Sequence, residues 1–219
     1  MKLYHSYDSS TAGAYIIYIP ANSVSVDQAY RCLQSCVAVD QPAELWEGFD
    51  GSGTEISVPK HLKGQSWTNW FRVTDHQISR TEIACCLSHI SLWIHCIELD
   101  RPIIVLEHDA VMTQPYPRHE VYNAIGYMGC VEQQRGEYEL KFPESPQSSI
   151  NHNWRFINRA HAYSIDPAVA RKMLSNVLDR GIFESLDVML KSDDYAIYQT
   201  GIYAYEMPDG KTTIFDRKK

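Results

Sequence analysis

Three adjacent side chains, Glu107, His108 and Asp109, follow directly on the apolar run Pro102-Ile103-Ile104-Val105-Leu106. Charged groups are costly to desolvate, so a buried strand that stops on two carboxylates delivers them to an edge where water or a cation can meet them. On extended backbone, residues two apart point the same way, which puts Glu107 and Asp109 on one side. Two hard oxygen ligands on one side of a strand end suit a divalent cation carrying phosphate. The ordinary alternative is that Asp109 caps a turn.

Further groups are candidates to join them. Asp187 interrupts the apolar segment from Phe183 to Leu190; it either faces solvent on a short helix or meets the first two carboxylates at the sheet edge. Glu82 closes the pattern Ser79-Arg80-Thr81-Glu82, a capping box, so a structural role competes with a functional one. His89 is either a satisfied, partly buried histidine or a site residue. Asp50 opens Asp50-Gly51, a strong turn signal, with a ligand role as the second reading.

The elements that must position these groups are well marked. Ala14 to Ile19 reads as a first strand ended by Pro20, with a helix starting at Ser25 or Asp27 and running through Tyr30, Leu33 and Val37. Leu45 and Trp46 mark a second strand. The opening β-α-β pattern favours a parallel sheet with helices on its faces, and ligands in such sheets bind beyond the carboxyl ends of the strands. Ile83, Leu87, Ile90, Trp93 or Ile94, and Ile97 recur at helical spacing after the capping box, and Pro102 stops that helix before the central strand. Strands follow around Ile125 to Met128 and over Ala160 to Ile165. Asp166-Pro167 then opens a helix that Gly181 closes. Ile197, Tyr198, Ile202 and Tyr203 suggest final strand pieces. Residues 132–153 read as a long flexible loop and 211–219 as a polar tail. Trp67, Trp70 and Phe71 either pack on the core or form a platform for a sugar or base.

With 219 residues, 44% of them hydrophobic and 21% charged, the chain is expected to form a single domain over 1–219 with a substantial core. Its net charge of −7 and the absence of a Lys/Arg cluster argue against a nucleic-acid partner. An acidic protein that binds a phosphorylated ligand needs a counter-charge, which a metal ion supplies. No signal peptide or membrane-spanning run is expected, and six cysteines without zinc-type spacing read as reduced thiols, which together suggest a cytoplasmic protein. The sequence says nothing of its oligomeric state.

Taken together, the motifs resemble glycosyltransferase family 25, the lipopolysaccharide-type β-galactosyltransferases and their collagen-modifying relatives. Thr81-Glu82-Ile83-Ala84-Cys85-Cys86-Leu87-Ser88-His89 is similar to that family's Gly-Glu-Ile-Gly-Cys-x-Leu-Ser-His. Leu106-Glu107-His108-Asp109-Ala110 is similar to Leu-Glu-Asp-Asp-Ala, and Phe49-Asp50-Gly51 to Val-Asp-Gly. His161-Ala162-Tyr163-Ser164-Ile165 and Ser185-Leu186-Asp187 are similar to its Ala-Tyr-x-Ile and Val-Asp segments. His108 replaces the middle acid of the triplet, Thr81 and Ala84 replace glycines, and the basic stretch after the first strand is reduced to Arg31.

The resemblance implies a GT-A type α/β fold and inverting transfer of a hexose, often galactose, from a UDP-sugar to a saccharide or other hydroxyl acceptor. It implies that Glu107 and Asp109 bind Mn2+ (or Mg2+) and the nucleotide, with His108 as a possible nitrogen ligand. Asp50, Ser88, His89, Glu107 and His161 then fall on the donor-binding side. Asp187 is the first choice for the base and Glu82 the second. Two other classes compete. A nucleotidyltransferase wants a Gly-rich basic loop after the first strand, and Ser23 to Asp27 has neither Gly nor Lys. A catalytically degenerate glycan- or partner-binding module is the alternative that the altered triplet keeps open.

Overall fold

The protein is described by a computed structural model over residues 12–63, 71–74, 77–116, 122–130, 157 and 159–207. The long loop expected over 132–153, the tail 211–219, and Trp67 and Trp70 lie outside these residues. The elements in chain order are β1 (Ala14–Tyr18), α1 (Ser23–Ala38), β2 (Ala43–Glu47), a 3-10 turn (Lys60–Leu62), α2 (Arg80–Leu99), β3 (Ile103–Glu107) and β4 (Ala110–Met112). They continue with β5 (Ala124–Cys130), β6 (Ala162–Ile165), α3 (Pro167–Arg180), α4 (Leu186–Met189) and β7 (Ala196–Glu206).

One seven-stranded sheet runs in the order β2-β1-β3-β6-β5-β7-β4. It is mixed α/β, which corrects the expectation of a parallel sheet. β2, β1 and β3 are parallel, as the β-α-β opening dictates. β6 runs antiparallel to both of its neighbours, and β4 antiparallel to β7. Neither reversal has a local sequence signal.

β3 reads as an unbroken apolar run because both of its faces are covered. Ile103 and Val105 join Tyr15 and Ile17 in a core beneath α2 and α3, while Ile104 and Leu106 join Ala14 and Ile16 in a second core beneath α1. Each of these four β3 side chains is at most 1% exposed. Their burial is worth about 1.5–3 kcal/mol apiece, so β3 is the fixed axis on which its terminal acids are mounted.

α2 begins as read. The Ser79 hydroxyl accepts from Glu82 N while Glu82 Oε2 takes Ser79 N at 2.8 Å. It ends on Asp100 in the left-handed region, φ 48°. In length and apolar character α2 equals a membrane-crossing segment, yet 61% of that stretch is buried inside the fold. It is the central core helix, packed against α3, β1 and β3. α1 starts earlier than read: Asn22 Oδ1 accepts from Val24 N and Ser25 N, and the Ser25 hydroxyl instead takes Ile19 N at 2.9 Å. Asn22, Ser25 and Asp27 are comparable caps by residue type, so type alone did not decide.

The largest departure lies after β3. Only His108 and Asp109 separate it from β4, so Glu107 and Ala110 are three Cα–Cα steps apart, at most about 11 Å. Four strand positions separate β3 from β4, about 19 Å in a flat sheet. The sheet must therefore curl until its far edge returns to the end of β3. This corrects two expectations. Glu107 and Asp109 are not alternate residues of one strand: Glu107 ends β3 and Asp109 lies in the tight turn that follows. The expected final strand pieces are one strand, β7, whose last residue, Glu206, pairs with Ala110.

Candidate active site

The curl closes a crevice around the carboxyl end of β3, and the crevice has two chambers. The first is a cleft between the ends of β1 and β2 and the first turns of α2, bordered by Asn22, Asp50, Gly51, Thr81, Ser88 and His89. The second, of about 360 Å³, is bordered by Glu82, Arg159, His161, Ser185, Asp187 and Glu206. That volume falls in the usual range for small-molecule sites, about 300–1,000 Å³. Cys85, Glu107 and Asp109 border both chambers and so form the wall between them.

The structure thus brings all the sequence-predicted residues to one crevice, in different capacities. Asp50 makes the turn its Asp-Gly sequence demands, with Oδ1 accepting from Ser52 N at 2.9 Å. A side chain at Gly51 would meet the Arg80 carbonyl oxygen at 2.4 Å, so the loop approaches α2 as closely as only glycine permits. Ser88 is fully occupied by the scaffold: its hydroxyl donates to the Ala84 carbonyl at 2.7 Å and accepts from Phe49 N at 2.8 Å. Glu82 gives Oε2 to the capping box, taking both the backbone N–H and the hydroxyl of Ser79. His108 borders the first chamber from the turn after β3.

His89 and His161 are both 1% exposed. His89 is spanned by partners, Nδ1 lying 2.8 Å from Tyr163 Oη and Nε2 lying 3.2 Å from Glu107 Oε1. The His161 carbonyl receives Glu107 N at 2.9 Å, while neither of its ring nitrogens meets a hydrogen-bond partner at good geometry among the described residues. Its ring packs on Gly129, where a side chain would strike Nε2 at 2.4 Å.

Asp187 does not face solvent. It lies in the first turn of the short helix α4, with Oδ1 accepting from Ala160 N at 2.9 Å and Oδ2 from Arg159 N at 3.2 Å. These bonds tie α4 to the segment leading into β6 and turn the carboxylate toward the crevice. Arg159, whose backbone is in the left-handed region at φ 71°, pairs its guanidinium with Glu206.

Five carboxylates, Glu82, Glu107, Asp109, Asp187 and Glu206, thus border the second chamber against one guanidinium. Burial, followed by the nearby Glu206 charge, pushes Glu107 up to about 7. Burial, then Glu107 and Glu206, holds Asp109 well above the ordinary carboxylate range. Burial, then Glu107, pushes Asp187 up to about 6, although the two backbone N–H groups pull the other way. Burial keeps His89 neutral, at about 3, and His108 and His161 neutral, each at about 4. Acids crowded out of water and opposed by little positive charge make a site whose chemistry fits a cation. Asp109 Oδ1, buried and without a hydrogen-bond partner among the described residues, fits the same conclusion. The oxygens of Glu107 and Asp109 suit manganese or magnesium.

A softer set is also present: Cys85 Sγ, His89 Nε2 and Glu107 Oε1 lie within 4.8 Å of one another. Sequence reasoning judged zinc on cysteine spacing and missed it; the signal was Cys85 and His89 four apart on one helix face. Five cysteines are free thiols, as read. Glu206 and Arg159 were missed as well. The strand holding Glu206 is recognisable, but only the curl of the sheet brings its end to β3.

A family model described as Glycosyltransferase family 25 (LPS biosynthesis protein) matches residues 36–190. No curated protein matches the chain. The matched stretch is more than half of the sequence, and it carries α2 with His89, the end of β3 with Glu107 and Asp109, and α4 with Asp187. Such membership supports glycosyltransferase activity, with a nucleotide-sugar donor and a saccharide acceptor. The motifs that border the crevice are the ones the family model spans, and the chain belongs to glycosyltransferase family 25.

Proposed function

We propose that the protein is an inverting glycosyltransferase of GT-A type. It moves a hexose, galactose first among the candidates, from a UDP-sugar to a hydroxyl of a saccharide acceptor in a manganese- or magnesium-dependent reaction. The single observation that carries this reading is the shared wall: Glu107 and Asp109 border both chambers, so a donor in one and an acceptor in the other meet across them.

On this reading the first chamber receives the nucleotide, with the Asp50-Gly51 loop, Asn22 and Thr81 at its border. Ser88 and His89 act from behind, holding the loop after β2 and Glu107 in place. Glu107 and Asp109 hold the cation, with the turn at His108 placing them side by side. A cation held there would supply positive charge against the diphosphate as the bond from sugar to phosphate oxygen breaks. The second chamber receives the acceptor. Its hydroxyl oxygen attacks the anomeric carbon from the face opposite the departing UDP, and its proton passes to Asp187. A carboxyl with a pKa of about 6 is a better proton acceptor than an ordinary aspartate and is still ionised at neutral pH. Glu82 borders the same chamber, but its capping bonds leave it the weaker candidate. His161 and Glu206 close the far wall.

The test is a hydrolysis and transfer screen over UDP-, GDP- and CMP-sugars with manganese present. UDP-hexose turnover, with UDP-galactose fastest, is expected. Turnover of only GDP- or CMP-sugars contradicts the donor assignment. Turnover of none favours the degenerate binding module.

A further inference from the structure

The hydrogen bonds behind Glu107 have a direction that proton counting determines. Trp93 Nε1 is a donor only, and it lies 3.0 Å from Tyr163 Oη, so it donates to that oxygen. The Tyr163 hydroxyl must then place its own proton, and the other atom in reach is His89 Nδ1 at 2.8 Å. If the hydroxyl donates there, Nδ1 is the bare nitrogen and the imidazole proton sits on Nε2. That proton points at Glu107 Oε1, 3.2 Å away, and the Cys85 thiol donates to the same oxygen at 3.8 Å. Every donor has an acceptor.

The reverse polarity fails this count. With the proton on Nδ1, Tyr163 Oη accepts twice and its own proton is stranded whatever the charge on Glu107, and Nε2 and an ionised Oε1 face each other as two acceptors. Trp93, Tyr163 and His89 are at most 1% exposed, so water does not repair the mismatch. The reverse polarity is also the one that Cys85, His89 and Glu107 would need to ligate a metal together, because a ligating nitrogen must be bare.

We propose that Trp93 and Tyr163 are positioning residues that lock His89 in its Nε2–H tautomer, so that Glu107 is pinned by Oε1 and presents Oε2 alone to the crevice. Oε2 has no hydrogen-bond partner among the described residues, and the Glu107 side chain is 26% exposed, so it is both accessible and oriented. The assignment of that free oxygen to a cation rests on the function proposed above; the relay itself does not.

The tautomer is read directly by long-range proton–nitrogen NMR on histidine-labelled protein, with His89→Gln identifying the signal. The expected result is the Nε2–H form in the wild type and a shift toward the Nδ1–H form in Tyr163→Phe, which removes only the hydroxyl. Manganese binding, followed by the electron-spin resonance of the free ion without any substrate, is expected to weaken about 10- to 100-fold in Tyr163→Phe, the usual range for residues that orient a ligand. In His89→Gln, whose amide N–H can still reach Glu107, adding Tyr163→Phe is expected to cost nothing more. An Nδ1–H tautomer in the wild type overturns the relay. So do unchanged manganese affinity in Tyr163→Phe, independent losses in the double variant, or a thiolate-to-metal absorption band with cobalt that reports Cys85 as a ligand. Failure of the wild type to bind manganese sinks the cation reading alone, and the wild-type tautomer still upholds or overturns the relay.

Discussion

Replacing Asp187 by asparagine separates its two roles. The carboxylate accepts two backbone N–H groups, from Ala160 at 2.9 Å and from Arg159 at 3.2 Å. The amide oxygen of asparagine keeps one, and the amide nitrogen turns a donor toward the other. An unsatisfied N–H costs about 1–3 kcal/mol, and the exposed Arg159 N–H falls at the low end because water replaces the lost acceptor. Against this, the acid is pushed from 3.8 to about 6. Each pKa unit is 1.36 kcal/mol, so holding the ionised form at pH 8 costs the fold about 3 kcal/mol that asparagine does not incur. At pH 5 the unfolded acid is already ionised, so about 1.6 kcal/mol of that cost is present there; the variant is therefore expected to be about as stable as the wild type at pH 5 and more stable by about 2 kcal/mol at pH 8. Its chemistry should fail at both values. Loss of a positioned general base lowers kcat by about 10²–10⁴, or roughly 3–5 kcal/mol of barrier. The wild-type rate itself should fall about tenfold per unit below pH 6, since the base acts only when ionised. The assay is steady-state release of UDP in the presence of acceptor, paired with calorimetric UDP affinity. A kcat within threefold of the wild type refutes the assignment. So does a loss of UDP affinity as large as the loss of rate, because that would make Asp187 a donor-binding residue.

Two further outcomes follow from the same geometry. Glu82→Gln keeps a capping box, since glutamine serves at that position, so thermal stability should change by less than about 1 kcal/mol and transfer by less than tenfold; a loss matching that of Asp187→Asn assigns the proton transfer to Glu82. Metal-free wild type should lose about 1 kcal/mol of stability relative to Glu107→Gln between pH 6.5 and 8, checked by urea unfolding of both at fixed ionic strength. The sign comes from Glu107: its folded pKa of about 7 lies above the unfolded value, so the folded state holds more protons in this window and stability falls as pH rises. Up to about pH 7.5 the buried neutral histidines oppose this, because the unfolded chain protonates them first, and the comparison with Glu107→Gln cancels their contribution. Manganese should abolish this relative loss, and a wild type that gains on Glu107→Gln over the window contradicts the crowding of acids at the crevice.

The parts of this architecture legible in the sequence are those set by local physics. The run ending on Glu107 has to be a buried strand reaching an edge, because five apolar residues give way abruptly to charge. Ser79 with Glu82, and Asp166-Pro167 with Gly181, mark helix ends by their hydrogen-bonding capacity and by the backbone freedom of glycine. What is not legible depends on pairing between distant segments. The curl that returns β4 to β3 follows from the pairing of Ala110 with Glu206, nearly a hundred residues apart, and nothing around either residue announces it. Glu206 and Arg159 are invisible as site residues for that reason. Tyr163 reads as one more apolar residue of β6, because its ring is core and only its hydroxyl faces His89.

The claim on which the rest depends is that the crevice binds a sugar nucleotide through a cation held by Glu107 and Asp109. Titration calorimetry with UDP, in manganese and again in chelator, tests it most directly. Binding in manganese, loss of that binding in chelator, and the same loss in Asp109→Asn with manganese restored are the expected results. Equal UDP affinity with and without the ion, or an Asp109→Asn variant that binds as the wild type does, contradicts it.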